Sequence, residues 1–255
     1  MNGIIIIPFR DTFKTGERYT ELDVLYKKIR EVSDCDVCVI HQDDDQLFNK
    51  AILMNVGFDI NQRSYDYFIF HDVDNIPIGR NPYTERICSG ILQGKLDEQI
   101  LTDKDTHWAG AIYFAPEDFL AINGFSNYFW GWGWEFSATP TRLAKKNIIW
   151  KRFDGEFYQL NHETKHRYTG NPNWVNNVLI YRLVDEILPP EWDGFKQLWY
   201  NLNGSDNKLG FPTYHVSLCL PQYDTSRILT MDEIAKLSGS CDEKEYNWIV
   251  ETYSK

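Results

Sequence analysis

The sequence predicts an α/β domain built on a mixed, mostly parallel central sheet. Ile4-Ile5-Ile6-Ile7, closed by Pro8, is the unbroken apolar run that a strand covered on both faces requires. Leu22, Leu25, Ile29 and Val32 recur at helical spacing, with lysines and arginines between them. Two more apolar stretches, Val37-Cys38-Val39-Ile40 and Tyr67 to His71, follow in turn. A β-α-β-α-β order of this kind gives parallel strands and places ligands beyond their carboxyl ends.

Taken along the chain, the second strand spans Asp36 to His41. Asp43-Asp44-Asp45 is expected to cap a helix running to about Asn55, because carboxylates satisfy free N–H groups and complement the helix dipole. The third strand ends in Asp72-Val73-Asp74. Lys95 to Thr106 is polar and reads as a loop. Trp108 to Phe114 follows as a strand, and Glu117 to Ile122 as a short helix. Arg142 to Lys146 sits in another helix, ahead of a strand from Ile148 to Phe153. Asn161 to Asn177, rich in asparagine, histidine and proline, reads as an irregular ligand-binding loop. Strands return at Gln197 to Leu202 and Tyr214 to Leu220. With no internal repeat and no linker, a single domain over 1–255 is expected.

The formal net charge of -11 excludes an extended nucleic-acid surface, since nothing would neutralise the phosphates. A local anionic ligand remains compatible if a metal bridges it. No apolar run reaches the length of a membrane span, and the four isoleucines are too short for a signal segment. That points to a cytoplasmic protein, or to one whose anchor has been removed. Of the five cysteines, Cys35 and Cys38 form a CxxC with no second pair at zinc spacing, so Cys38 reads as a buried strand thiol in a reducing compartment.

Three motifs carry chemistry. Asp72 and Asp74 stand two residues apart beyond a buried strand, where the turning backbone lets both converge on a hard cation such as Mn²⁺ or Mg²⁺. Such a cation neutralises charge building on a nucleotide-diphosphate leaving group. His162 and His166 lie four apart and either share a face, if helical, in an arrangement that suits a metal, or are two solvated loop histidines. Trp130-Gly131-Trp132-Gly133-Trp134-Glu135 alternates indoles with glycines and ends in a carboxylate. It reads as a segment whose rings close over a sugar, with Glu135 placed to handle a hydroxyl.

These residues carry a family resemblance. Ile5-Ile6-Ile7-Pro8-Phe9-Arg10, Phe48-Asn49-Lys50-Ala51 with Asn55-Val56-Gly57-Phe58, and Phe70-His71-Asp72-Val73-Asp74 resemble successive signatures of the β-1,4-galactosyltransferases, glycosyltransferase family 7. Asn123-Gly124-Phe125-Ser126-Asn127, Trp130 to Gly133, Asn171-Pro172-Asn173 and Asp193-Gly194-Phe195 continue the series in order. The resemblance implies a GT-A fold, a nucleotide-binding half over about 1–105 and an acceptor-binding half over about 106–255. It implies a UDP-sugar donor, galactose or a close relative as the hexose, Mn²⁺, a saccharide acceptor and inversion at the anomeric carbon; Gln159, a harder ligand than the family's methionine, widens the expected tolerance to Mg²⁺.

Residue by residue, the resemblance makes Arg10, Phe48, Lys50 and Asp72 nucleotide and donor contacts, with Trp132 closing over them. Asp74, His162 and Gln159 become the metal ligands. Gln159 stands where the family carries methionine, and Lys50 where animal members carry arginine. The chain departs most inside the tryptophan motif, where the family reads Trp-Gly-Trp-Gly-Gly-Glu-Asp-Asp. Here Trp134 replaces a glycine, Phe136 occupies the position of the catalytic aspartate, and Ser137 follows. A base must take the acceptor hydroxyl's proton, and Glu135 is the nearest carboxylate retained. His107, Trp134 and Phe136 are expected on the acceptor side, with Asn173 and Trp174 as further candidates. A nucleotide-sugar-binding protein that has lost transfer is the alternative. Bacterial or viral origin fits a chain with no anchor.

Overall fold

In the computed structural model, residues 2–11, 16–77, 83, 90–95, 110–131, 133–160, 171–220 and 222–254 are described, with backbone alone at 90–95, 110, 151–156 and 159. Among them nine strands join in one sheet of order β4-β7-β5-β6-β3-β1-β2-β9-β8. Strand β1 (Gly3–Phe9) is buried throughout and lies at its centre. It pairs in parallel with β2 (Asp36–Gln42) and β3 (Tyr67–His71), and β2 pairs in parallel with β9 (Thr213–Leu218). Antiparallel pairings flank this core. Strand β6 (Gly110–Phe114) joins β3, and β8 (Tyr200–Asp206) edges β9. Beyond β6 lie β5 (Gly90–Lys95), β7 (Lys151–Gln159) and the three-residue β4 (Asn75–Pro77).

The isoleucine run explains the layering. Successive side chains of a strand point to opposite faces. Ile4 and Ile6 therefore enter one cluster with Phe68, Phe70 and helix α2 (Lys50–Asn61). Ile5, Ile7 and Phe9 enter another with Leu22, Leu25 and Ile29 of helix α1 (Glu17–Val32). Each such burial stabilises the fold by about 1.5–3 kcal/mol. Helix α2 presses close to the sheet: a Cβ on Gly57 would meet Ile6 Cγ2 at 2.4 Å. Helices α3 (Pro116–Ala121) and α4 (Glu135–Lys145) follow β6. A third cluster packs α5 (Pro172–Ile180), α6 (Met231–Ser238) and α7 (Glu243–Tyr253) around Val178, Leu179, Ile234 and Ile249.

Several elements correct the sequence reading. Asp43 to Asp45 do not cap α2; Asn49 does, its side chain accepting from the Ile52 N–H at 2.9 Å. Asp44 instead pins the preceding loop, accepting from Gln46 N at 2.9 Å and Leu218 N at 2.7 Å. The helix runs on past Asn55 to Asn61, because Gly57 is a close-packing residue rather than a stop. Within the expected loop at 161–177, Asn171 caps helix α5 and Pro172 occupies its first turn, a helix start. The strand expected at 148–153 begins only at Lys151 and continues to Gln159. Residues 195–197 form a 3₁₀ turn ahead of β8. Cys38 is the buried strand thiol expected, and burial pushes its pKa up to about 12.

Candidate functional site

The carboxyl ends of β1, β2 and β3 converge on one side of the sheet. Arg10 follows β1 and donates to the Asp44 carbonyl at 2.9 Å and to the Gln46 carbonyl, holding the loop that leads to Phe48. Phe48 is partly buried against the first cluster, and its carbonyl accepts from the Gly131 N–H at 2.7 Å. Lys50 opens α2 and reaches across the site. Its Nζ lies 3.1 Å from Asp72 Oδ1 and 2.7 Å from Glu135 Oε1. It also sits 3.8 Å above the centroid of the Phe136 ring, a cation–π contact. Burial pulls the ammonium's pKa down, but the two carboxylates outweigh it and hold it above its ordinary value.

Asp72 sits just beyond the buried end of β3. Burial raises its pKa to about 6, with Lys50 opposing and the neighbouring charge of Asp74 adding to the rise. His71, one residue earlier, is fully buried. Its Nδ1 lies 2.8 Å from the Asp72 carbonyl, which only accepts, so Nδ1 carries the proton. Nε2 therefore accepts from the Tyr83 hydroxyl at 2.8 Å. Burial drives the pKa of His71 down to about 4, so the ring stays neutral and fixes the backbone that carries the acids.

Topology brings a second segment to Asp74. Its carbonyl accepts from Leu160 N at 2.8 Å, and Asn75 pairs with Gln159 across β4 and β7. Gln159 thus lies in register beside the Asp72-Val73-Asp74 (DxD) turn, although its side chain, like His162 and His166, is outside the described residues. The fit to a hard cation rests on two carboxylates crowded at one turn and on the buried Asn75 Oδ1, which has no hydrogen-bond partner among the described residues. Among the described residues no three His, Cys, Asp or Glu side chains already form a metal cluster.

On the opposite wall, the tryptophan motif is anchored at both ends. Trp130 is buried, and its carbonyl accepts from Asn173 and from Asn177. Gly131 and Gly133 take φ of 74° and 103°, and a Cβ on Gly133 would meet the Trp174 ring at 2.2 Å. Trp134, at φ 76°, holds a left-handed conformation that glycine adopts freely, and it stacks on Tyr181 with ring centroids 5.2 Å apart. Its indole N–H is buried without an acceptor among the described residues. Glu135 and Phe136 begin α4, 9% and 8% exposed. Phe136 turns its ring into the core, where Lys50 covers it. Asn173 serves the anchor of this wall. Trp132 and His107 lie outside the described residues. The motif at 123–127 meets Asp193, whose carboxylate accepts from Ser126 Oγ at 2.8 Å and Asn127 N at 2.6 Å.

The N-terminal region of glycosyl transferase group 7 matches residues 2–86, and the N-terminal domain of galactosyltransferase matches residues 99–167. Mouse Beta-1,4-galactosyltransferase 1 is 32% identical over 206 residues, covering 78% of this chain and 50% of that protein. Human Beta-1,4-galactosyltransferase 5 is 36% identical over 208 residues, covering 78% and 51%. The chain belongs to the β-1,4-galactosyltransferase family.

The chain spans about half the length of these curated relatives. The catalytic domain of Drosophila beta1,4galactosyltransferase 7, solved with xylobiose, superposes with a TM-score of 0.67 at 21% identity, over 98% of this chain and 99% of that one. A point mutant of the same enzyme, with asparagine in place of an aspartate, was solved with manganese, UDP-Gal and xylobiose. It gives a TM-score of 0.65 at 20% identity with the same coverage. The GT-A fold of this β-1,4-galactosyltransferase family member is therefore shown. Sequence reasoning missed the link from Lys50 to Glu135, the Tyr83–His71 support and the Tyr181 stack. Each joins residues remote in sequence, and no local pattern signals it.

Proposed function

We propose that this chain is a metal-dependent, inverting glycosyltransferase that moves a hexose, galactose or a close relative, from a UDP-sugar to a saccharide acceptor. The observation that carries the reading is the Lys50 ammonium bridging Asp72 on the donor side to Glu135 on the acceptor side. The family's relatives and the Drosophila complex with manganese, UDP-Gal and xylobiose support it.

In this reading Arg10 and Phe48 receive the nucleotide, and Asp72 holds its place beside Lys50. Lys50 turns positive charge toward the diphosphate as a point charge rather than a fork. Asp74, with Gln159 and His162, would hold Mn²⁺, which when bound neutralises charge on the leaving diphosphate. Trp132 covers the donor, while Trp134 and His107 shape the acceptor side; Phe136, expected there from sequence, instead lies in the core and backs Lys50. Glu135 accepts the acceptor hydroxyl's proton as that hydroxyl attacks the anomeric carbon.

The test is turnover. UDP release from UDP-galactose with Mn²⁺ and a saccharide panel is expected, and Glu135→Gln should lower kcat by about 10²–10⁴-fold, the usual worth of a positioned base. Undiminished turnover in that variant removes Glu135 from the role. The phenylalanine at position 136 favours a second reading, a nucleotide-sugar binder without transfer. Calorimetry showing manganese-dependent UDP binding with no turnover would select it.

A further inference from the structure

We propose that His41 and His215 form a binding site for a divalent transition-metal cation of the zinc type, apart from the DxD turn. The two residues are register partners on the parallel strands β2 and β9. Their Nδ1 atoms stand 3.1 Å apart, with the rings at 81°. Two imidazole nitrogens bound tetrahedrally to one zinc lie about 3.3–3.4 Å apart, given zinc–nitrogen lengths of about 2.0–2.1 Å. The nitrogens therefore need to part by only a few tenths of an ångström, with each ring turning its lone pair from the other nitrogen toward a shared ion.

The surroundings suit it. His215 Nε2 faces Asp206 Oδ2 at 3.2 Å. Donation there leaves Nδ1 of the neutral ring as a lone pair aimed at His41, the carboxylate–histidine pairing that orients and strengthens a metal ligand. Burial, then the neighbouring His215, lowers the pKa of His41 and keeps it neutral. Without a cation, His41 Nδ1–H donates to His215 Nδ1. When the cation binds, that proton moves to His41 Nε2, so two lone pairs face one ion and no net charge is lost from the pair.

Asp11 and Asp43 act on His41 and Asp206 contacts His215, against the cations Arg10 and Lys208. Arg10 is already engaged by two backbone carbonyls. The side chain of His215 is 28% exposed, so water can fill the remaining positions of a site with two protein ligands. Such an ion would clasp β9, and with it the edge strand β8, to the parallel core.

Zinc chloride titrated into the full chain, followed by calorimetry and thermal unfolding, tests the proposal. A zinc-binding event that persists in Asp74→Asn and a raised Tm are expected. His41→Asn and His215→Gln should each weaken it by at least about tenfold, and Asp206→Asn by about 10–100-fold as an outer partner. Asp74→Asn should leave it unchanged, which keeps this site separate from any metal at the DxD turn and independent of the transfer reaction. Should the histidine variants fail to fold, ¹⁵N shifts of both Nδ1 atoms on zinc addition to the unaltered chain decide the matter. No zinc binding, binding indifferent to both histidines, or unmoved Nδ1 shifts would overturn the proposal and leave a histidine–histidine hydrogen bond.

Discussion

Lys50 sits where one charge decides the behaviour of two others. Its ammonium is the counter-ion of both Asp72 and Glu135, and the ring of Phe136 shields it from below. In Lys50→Met the two carboxylates lose their cation while staying in the same pocket. Removing one partner of a buried ion pair costs about 3–5 kcal/mol. All three side chains keep some solvent contact, 17%, 20% and 11%, so the lower end of about 3 kcal/mol is expected, read as a fall in the urea midpoint at unchanged m-value. His71 gives a second residue-scale prediction. Its pKa falls from 6.5 in the unfolded chain to about 4 in the fold, so the unfolded state binds the extra proton between those values. Its contribution is therefore complete above pH 6.5 and lost as pH falls through about 4. Asp72, with its raised pKa, slopes the other way, so the comparison must be made against a variant. The stability gap between the unaltered chain and His71→Gln should widen by about 3 kcal/mol from about pH 4 to pH 7, measured by denaturant titration at each pH. A gap that is constant with pH would mean that the ring is not held neutral.

At the scale of elements, the first three strands and α1 were legible because burial on both faces, or on one helical stripe, writes itself into the order of apolar residues. Helix α2 was only half legible. Its start is signalled by a single asparagine rather than by the nearby acids, and its interior glycine looks like an end until the sheet beneath it is seen. Strand β4 has three residues and leaves no periodic trace, yet its pairing with β7 carries Gln159 to Asp74. The close approach at Gly57 yields a test. Gly57→Ala would favour the helix by roughly 1 kcal/mol through propensity. The added Cβ, however, lies 2.4 Å from Ile6 Cγ2 and within 3.2 Å of Ile40, a contact that packing cannot accept without moving α2. Overpacking of about 1–3 kcal/mol should win, so the variant is expected to be less stable in thermal unfolding. Because α2 carries Lys50, it should also bind UDP more weakly.

Across the whole molecule, the placement of the proposed donor-side residues was readable and the packing of the proposed acceptor wall was not, for a physical reason. The residues proposed as donor contacts follow the ends of buried strands, as Arg10, Asp72 and Asp74 do, or open the helix packed on them, as Lys50 does, so the same apolar runs that build the sheet fix them. The tryptophan wall proposed for the acceptor depends on packing between distant segments: Asn173 and Asn177 hold Trp130, and Tyr181 supports a Trp134 that occupies a glycine conformation. The two walls touch through the Phe48–Gly131 hydrogen bond and through Lys50. A ligand filling the donor side should therefore stabilise the molecule as a whole rather than one loop. Binding at a hundred times Kd contributes about 2.7 kcal/mol, and a chain of this length gains about 2–4 °C in Tm per kcal/mol. UDP with Mn²⁺ is thus expected to raise Tm by several degrees, and each alone by less, because on the proposed reading the cation would be held by Asp74 and would neutralise the diphosphate. Asp74→Asn should erase the manganese-dependent part and leave the unliganded Tm close to its starting value. A Tm indifferent to UDP and Mn²⁺ together would remove the donor site from this end of the sheet.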